Sequence, residues 1–590
     1  MFLDRPGGLG VMRFPSIATL VAHAAAVLRR FPWTLMAGAV AAAAGLVAST
    51  AGARDAWARL AFVGALGLPL TLAVSLLGEA RDWGPGRRTG VQLGGLAGLA
   101  AFFLRWPGIE VAHEAIRYFL LSAALHLTVA FLPFLGAEES VAFWQYNRRL
   151  FLGFLRAVVF SAVLFVGIVI ALGALDKLFG VHIPAETYFR IWLILAFVVN
   201  TWIFLAAVPP DLTALARDSE YPRALKVFAQ YVLTPLAFTY LVILLAYLIK
   251  IVAGSEWPSG WIGWLVGSVS VTGLLGFLLV HPLRADPSEA WIRTYARWLF
   301  IGLVPSALML LVAFWKRIVP YGLTEPRVLG LVLGFWLLAI ALLYGARATA
   351  SIRIIPISLA ALLLLTLYGP VSLTQVSISS QGRRLARLLS AGHPTDVDAR
   401  EASAALRFLI DHRAGDEIAA RIGRPLPPIA WTSVPRYGAA RDSLGRRIMA
   451  LRGVEYLPDY GPRGAGGWFQ LSNNDPLPVA GFDWVLPASP GDMTTRLAGP
   501  DSVAVIGHPG TNVVRVRIGA DTLEFDLRPL ARGSAGSPPA SGRGASATLR
   551  VEAVAGARRG VLSLTQLNGT RSGDSVLVTY WSGWVLVGRR

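Results

Sequence analysis

The sequence of 590 residues contains no cysteine, and this absence excludes several kinds of site. Without thiols the chain has no disulfide framework, no thiolate ligand for a metal ion and no cysteine nucleophile. Charged residues are also scarce, at 15% of the chain, whereas they approach about a quarter of an ordinary soluble protein. Hydrophobic residues make up 55%, and the mean hydropathy is +0.57. This composition excludes an ordinary soluble globular protein.

Lysine is nearly absent, because arginine supplies all but four of the 54 basic residues. Together with abundant alanine and glycine, this bias indicates a bacterial genome rich in G and C. The net charge of +19 raises the question of nucleic-acid binding. No basic stripe interleaved with aromatic residues supports it, so we expect no nucleic-acid partner. Phosphate-binding loops, nucleophile elbows and kinase signatures are absent as well, and we predict no cofactor.

Apolar runs of about 20 residues, the length that crosses ~30 Å of hydrocarbon, recur up to residue 372. We count eleven, at about 31–50, 56–77, 89–106, 111–136, 151–175, 187–208, 226–253, 260–283, 297–319, 326–345 and 353–372. The predicted fold class is an all-α polytopic membrane bundle of about eleven transmembrane helices, followed by a C-terminal soluble, strand-rich α+β domain. The run at 89–106 is short and glycine-rich, and its loss would invert the orientation of everything after it.

Lysine and arginine indicate the orientation of the bundle. They are more frequent in the segments on the same side of the membrane as the N-terminus than in those on the other side, and Arg29, Arg30, Arg87 and Arg88 are examples. Because cytoplasmic loops carry such an excess, the N-terminus is predicted to be cytoplasmic. Residues 1–30 should form a retained cytoplasmic segment with an amphipathic helix at the membrane surface. Eleven spans between residues 31 and 372 then place the C-terminal domain outside the cytoplasm.

The domain at residues 373–590 shows helical periodicity first and strand alternation later. Helices are predicted over 381–391 and 398–422. Alternating apolar residues predict strands at 514–518, 523–527 and 549–553, with turns at 519–521 and 568–574. Residues 533–546, with the sequence GSAGSPPASGRGAS, are predicted to be a flexible insertion.

Ionisable residues near apolar spans are candidates for function because their burial in a membrane is costly. Glu114 and Arg117 are three residues apart, so they can pair on a helix. Arg156 lies inside the fifth span, and Arg190 enters the sixth. Structural anchoring near the span ends is the simpler interpretation of these residues, and a polar pathway is the alternative.

Glycines in the third span raise a separate prediction. Gly90, Gly94 and Gly98 form a small-xxx-small repeat, which predicts close packing of that helix against a neighbour.

Four motifs in the middle of the chain resemble those of a bacterial membrane family. They are FWQYNRRL at 143–150, YPR at 221–223, WPSGW at 257–261 and YGLTEPR at 321–327. Together they are similar to the multi-pass family named domain of unknown function 4153, over most of residues 140–375 and more loosely over the tail. The resemblance implies a bacterial inner-membrane protein, and it brings no established catalytic residue.

The YGLTEPR motif also has a direct physical interpretation. Thr324 suits the N-cap of a helix, Pro326 suits its first turn, and Glu325 lies near the positive end of the helix dipole. Helix initiation explains most of this pattern. The alternative hypothesis is that Tyr321, Glu325 and Arg327 line an extracytoplasmic site together with the tail.

Three functions remain open on sequence grounds. The first is a non-enzymatic envelope scaffold or sensor-like protein, whose tail contacts other envelope proteins. The second is a transporter or flippase for a lipid-linked or anionic substrate, with Glu114, Arg156 and Arg190 along its path. The third is a membrane-embedded transferase or hydrolase, for which the sequence offers no catalytic constellation. The lipid bilayer is the one partner that all three share.

Overall fold

The computed structural model describes most of the chain and divides it into two compact units, Met1–Gln381 and Gly382–Arg590. The residues that it does not describe are 1–16, 51–53, 137–139, 213, 218–220, 255–261, 348, 370, 391–394, 427, 430, 432–433, 435–438, 458–466, 473–476, 497–501, 508–511, 534–548, 573–574 and 590. The first unit is helical, and the second combines helices with two sheets.

The first unit contains helices α1 to α14 and most of α15. Their bounds are α1 Ile17–Arg30, α2 Pro32–Ala48, α3 Arg54–Ala80, α4 Pro85–Arg105, α5 Ala112–Phe131, α6 Ser140–Phe179, α7 Ala185–Ile194, α8 Asn200–Ala206, α9 Arg223–Phe228, α10 Thr234–Gly254, α11 Ile262–Val280, α12 Ala290–Tyr321, α13 Glu325–Ala346, α14 Ile354–Leu365 and α15 Leu373–Leu389. A π-helical turn, Leu195–Val199, joins α7 to α8. A second one, Ala229–Leu233, joins α9 to α10, so each pair forms one long helix.

Within the described residues, eight helices are long and apolar enough to cross a membrane, which supports the predicted multi-pass character. They are Asp55–Ala80, His113–Phe134, Val141–Phe179, Ala185–Ala206, Arg223–Gly254, Ile262–Arg284, Pro287–Tyr321 and Glu325–Ala346. The count of about eleven is not confirmed. The run at 31–50 corresponds to α2, which forms a pair with α1, and the chain bends by 97° between these two helices. The run at 89–106 corresponds to α4, which carries arginines near both ends. The run at 353–372 corresponds to α14, which has only 12 residues.

One end of the bundle is rich in arginine side chains that bind backbone carbonyls of other helices. The Arg30 guanidinium donates to the carbonyls of Val208 and Pro209 at 3.0 and 2.6 Å. Arg81 donates to the Leu135 carbonyl at 2.9 Å, and Arg353 donates to the Phe134 carbonyl at 3.3 Å. We call this end, which also includes Glu79 and Arg88, the arginine end.

Contacts between other helix termini mark the opposite end of the bundle. Arg190 donates to the Ser49 hydroxyl at 2.9 Å, so α7 begins where α2 ends. Arg59 donates to the Trp106 carbonyl at 3.0 Å, which places the start of α3 beside the end of α4. The guanidinium carbon of Arg117 lies 5.4 Å from the centre of the Tyr368 ring, so α5 begins where α14 ends. Helix termini from distant parts of the sequence therefore gather at this end too.

The predicted glycine face of the third span is not a packing face. A Cβ on Gly90, Gly94 or Gly98 would meet no atom within 4 Å. Close packing instead occurs between α3 and α2, where a Cβ on Gly64 would lie 2.9 Å from the Ala41 nitrogen and 3.1 Å from its Cα. The prediction was wrong because the spacing of small residues does not reveal which side of a helix has a neighbour.

Replacing Gly64 by valine should therefore destabilise the bundle. Three added carbons have no room against the backbone of α2, and such overpacking costs about 1–3 kcal/mol. We expect a lower apparent melting temperature of the detergent-solubilised protein in size-exclusion profiles after heating. Gly90→Val on α4 is the matched control, since open space surrounds Gly90. Equal melting temperatures for the two variants would contradict the α2–α3 contact.

The second unit begins within α15 and continues with α16 Asp396–Asp411, α17 Gly415–Ile422 and α18 Ala439–Ala450. The helix predicted over 398–422 is thus two helices, because Arg413 adopts a positive φ of 53° between them. Apolar side chains of both helices are buried, including Leu406, Leu409 and Ile418, each at 0% exposure.

The remainder of the second unit forms two antiparallel sheets that share one hydrophobic core. The strands are β1 Gly467–Ser472, β2 Trp484–Ala488, β3 Gly491–Arg496, β4 Ser502–Gly507, β5 Val513–Ile518, β6 Asp521–Asp526, β7 Arg550–Ala555, β8 Arg558–Ser572 and β9 Ser575–Arg589, with helix α19 at Arg528–Gly533 between β6 and β7. One sheet has the order β1-β8-β9-β2, with β7 also paired to β8, and the other has the order β3-β4-β5-β6.

The predicted strands and the first turn are confirmed. β5, β6 and β7 contain the alternating residues apart from Leu527 and Leu549, which directly adjoin β6 and β7, and Gly519-Ala520 forms the turn between β5 and β6. The turn predicted at 568–574 is shorter than expected, because residues 568–572 continue β8 and pair with β9, with a register shift between Asn568 and Gly569. The predicted insertion at 533–546 lies outside the described residues, apart from Gly533 at the end of α19.

Candidate functional site

The YGLTEPR motif forms the turn between α12 and α13, and side chains of α15 hold this turn in place. Gln381 donates through Nε2 to the carbonyls of Tyr321 and Leu323 at 3.0 and 2.8 Å. The Ser380 hydroxyl accepts a hydrogen bond from the Leu323 amide at 2.9 Å. Gly322 has a φ of +69°, a conformation that favours glycine, so the chain can reverse direction there.

Arg327 closes the same turn from its other side. Its Nη1 donates to the Tyr321 and Gly322 carbonyls at 3.1 and 2.6 Å, and its guanidinium carbon lies 5.7 Å from the centre of the Tyr321 ring. Glu325 begins α13 and is 4% exposed. Thr324 takes the predicted N-cap position, but its side chain makes no capping hydrogen bond. Tyr321, Glu325 and Arg327 therefore lie close together at the α12–α13 turn.

The residues Ser380 and Gln381 were not among the sequence candidates. They lie 57 to 60 residues after the turn that they bind. A signal was present in the sequence: α15 is amphipathic and carries a run of polar residues, SISSQ at 377–381, immediately after the last apolar segment. These polar residues are not solvated, since Ser377 is 0% exposed and Gln381 is 2% exposed.

Glu114 occupies a second cluster, at the end of the bundle opposite the arginine end. Arg117 Nη1 lies 2.6 Å from Glu114 Oε1, so the predicted pair is present, and His113 Nε2 lies 3.6 Å from the same oxygen. The indole of Trp106 donates to the Glu114 carbonyl at 3.2 Å. The Trp106 ring stacks between those of Phe102 and Tyr118, with centroids 5.4 and 5.1 Å away.

Arg156 and Arg190 do not lie together with Glu114. Arg156 is exposed on α6, three residues after Gly153, whose Cβ would lie 2.7 Å from Ala207 Cβ. Because Ala207 directly precedes the Val208 carbonyl bound by Arg30, this part of α6 is near the arginine end. Arg190 lies at the opposite end, on Ser49. Arg156 therefore lies at the end of the bundle opposite from Arg190 and Glu114.

Two further family-like motifs contact each other at the arginine end. Trp144 and Tyr221 stack with ring centroids 5.3 Å apart, and they donate to the carbonyls of Leu278 and Leu279 at 2.8 and 3.0 Å. Burial raises the pKa of Tyr221 to about 12, which keeps its hydroxyl protonated and able to donate. These motifs hold α6 against α11. The WPSGW motif at 257–261 lies outside the described residues.

Across the described residues, no three His, Asp or Glu side chains lie close enough together to hold a metal ion. No solved structure matches the chain. A similar protein is the uncharacterized protein PM1469 of Pasteurella multocida (strain Pm70), which is 23% identical over 240 residues. The match covers 40% of this chain and 40% of that protein. The profile of the family described as domain of unknown function, DUF4153, matches residues 35–405. The matched residues include the bundle, the YGLTEPR turn and α15, and the chain therefore belongs to the DUF4153 family.

Proposed function

We propose that this protein is an envelope scaffold or sensor-like protein of the bacterial inner membrane, which acts through its domain at residues 373–590. The observation that carries the proposal is the attachment of α15 to the α12–α13 turn. Three hydrogen bonds from Ser380 and Gln381 fix α15 to the bundle, and the same helix continues into the second unit. Helix α15 therefore links the α12–α13 turn to the second unit along the chain.

The proposal places the second unit outside the cytoplasm, which requires an odd number of crossings from a cytoplasmic N-terminus, eleven on the predicted count. The contacts at the ends of α4 support its crossing: Arg88 near its start lies at the arginine end, and Trp106 after its last residue lies at the opposite end. Helix α14 has Arg353 before its start at the arginine end and Tyr368 after it at the opposite end. Helix α2 likewise lies between Arg30 and Ser49.

Charge supports the orientation. The arginine end contains Arg30, Arg81, Arg88 and Arg353. Arg284 and Arg293 lie at the junction of α11 and α12. Because successive spans run in opposite directions, this junction belongs to the same side of the bundle as the arginine end. Cytoplasmic loops carry an excess of such residues. We therefore take the arginine end as cytoplasmic.

Cross-linking in membranes tests the scaffold proposal. Photoactivatable residues at Val397, Val554 and Tyr580, all exposed on the second unit, should yield at least one reproducible adduct with another envelope protein. The control has the photoactivatable residue in place of Glu110, which is exposed between α4 and α5, and it should not yield that adduct. The full-length chain is used throughout. If all three positions give only the pattern of position 110, the second unit contacts no partner and the proposal is wrong.

A further inference from the structure

A group of neutral polar side chains is buried where α2, α3 and α4 meet. Thr34, Thr71, Ser75 and Gln92 are between 0% and 2% exposed, and they come from all three helices. We call these four residues the polar column. They were not among the sequence candidates, and the α12–α13 turn does not involve them.

Hydrogen bonds connect the column but leave one strong acceptor unused. Gln92 Nε2 donates to the Thr71 carbonyl and to the Ser75 hydroxyl, both at 2.9 Å. Thr71 Oγ1 donates to the Gly67 carbonyl at 2.6 Å and lies 3.1 Å from Thr34 Oγ1. Because the Thr71 carbonyl can only accept, the amide of Gln92 must direct its nitrogen toward it.

The amide oxygen of Gln92 then points elsewhere. Within the described part of the chain it has no hydrogen-bond partner, although it is buried. A buried acceptor without a donor costs about 1–3 kcal/mol, and the hydrocarbon around the bundle supplies no donor. Water is the small donor that usually satisfies such groups, where it can reach them.

The column begins next to an ion cluster that solvent reaches. Glu79, four residues after Ser75, accepts from Arg30 at 2.9 and 3.1 Å and from Arg88 at 3.4 Å. Arg88 precedes Gln92 by four residues, and Arg30 precedes Thr34 by four. The side chains of the three charged residues are between 22% and 29% exposed. One helical turn therefore separates the column from water at the arginine end.

Apolar packing closes the column at its other end. A Cβ on Gly67 would lie 2.9 Å from Ala37 Cβ, and a Cβ on Gly95 would lie 3.2 Å from the Leu70 side chain. Leu66 and Leu99 are 0% and 8% exposed at the same level. Polar groups thus continue from the arginine end to Gln92 and stop there.

We propose that the polar column is a water-binding half-path, which opens at the Arg30–Glu79–Arg88 cluster and ends at Gln92, whose amide oxygen accepts from the bound water. The site suits water and small polar solutes that donate hydrogen bonds. It is independent of the scaffold proposal, since it uses neither α15 nor the second unit. The contrary case is a dry interface, in which the four residues only hold three helices together.

The absence of cysteine makes a direct test available. Single-cysteine variants Ser75→Cys and Thr34→Cys are treated in native membranes with a small, charged, water-soluble thiosulfonate reagent. This reagent attacks thiolates, which require water to form. Leu93→Cys is the matched control: Leu93 is 51% exposed on α4 but lies on its apolar surface. Gly86→Cys, at an open position in the first turn of α4, marks the arginine end.

A half-path predicts that Ser75→Cys reacts about tenfold or more faster than Leu93→Cys, despite its burial. It should react from the membrane side that labels Gly86→Cys. Adding Gln92→Leu to Ser75→Cys should slow the reaction severalfold, because the water then loses its acceptor. If Ser75→Cys and Thr34→Cys are both as unreactive as Leu93→Cys, the interface is dry and the proposal is overturned. Labelling from the side opposite Gly86→Cys would overturn it as well.

Discussion

Reporters fused after residue 372 and after residue 590 are expected to be active only outside the cytoplasm. Eleven crossings from a cytoplasmic N-terminus place both points on that side, and an enzyme that needs the oxidising exterior gives an all-or-none readout. A fluorescent protein that matures only in the cytoplasm, fused at the same points, should stay dark. The measurement is the ratio of the two activities, normalised to the amount of fusion protein in the membrane.

Fusions on either side of α4 test whether this helix, which corresponds to the short, glycine-rich run at 89–106, crosses the membrane. A fusion after Trp83 should report the cytoplasm, and one after Gly108 should report the exterior, because these residues flank a helix of 21 residues, about 30 Å long. Cytoplasmic activity at both points would mean that α4 does not cross. The same activity after residue 590 would place the second unit among cytoplasmic proteins and would end the envelope-scaffold proposal.

Arg30→Ala should be among the most destabilising single substitutions in the bundle. It removes both hydrogen bonds to Glu79 and leaves the carbonyls of Val208 and Pro209 without this donor. A partly buried carboxylate that loses its bidentate partner, with Arg88 as its remaining neighbour, costs about 2–4 kcal/mol. We expect much less monodisperse protein after heating in detergent, and a lower yield in membranes.

Two controls separate the geometry of Arg30 from its charge. Arg29→Ala removes the same charge one residue away, where the exposed guanidinium donates to the Ala25 carbonyl of its own helix, so stability should change little. Arg30→Lys keeps the charge but cannot bind two carboxylate oxygens and two carbonyls in one plane, so it should be intermediate. If Arg29→Ala is as damaging as Arg30→Ala, the loss comes from net charge and the proposed contact is not responsible.

The span criteria explain where sequence reasoning was incomplete. The helices that pass have apolar runs long enough to stand out without neighbours, as Val141–Phe179 does. Helix α14 has only 12 residues, so it is identified by what lies at its two ends, Phe134 and Tyr368. In α4, the polar Gln92 lowers the local hydropathy, but both hydrogen bonds of its amide nitrogen are to groups inside the bundle.

Some contacts between the candidate residues could likewise be predicted from the sequence, and others could not. Tyr321 and Arg327 could be grouped from sequence because six residues and one turn separate them. Glu114 and Arg117 could be paired because a helix brings positions i and i+3 together. Gln381 could not be assigned to the turn, since nothing local in SISSQ indicates a partner 60 residues earlier. Arg156 and Arg190 lie near the starts of two consecutive spans, so the alternation of spans already places them at opposite ends of the bundle, and only the structure showed that Arg190 donates to Ser49.

The sequence by itself determined that this protein has a multi-pass helical bundle with a strand-rich C-terminal unit. Apolar length, alternation and turn residues are local properties, which each segment carries wherever it packs. The tertiary structure alone decided which polar groups meet: Arg30 with Glu79 and Val208, 49 and 178 residues away, and Gln92 with Ser75. Such meetings depend on which helices are neighbours and which side each one presents. Neighbours are chosen by close packing across the whole bundle, as at Gly64 against Ala41, and periodicity within one helix contains no information about them.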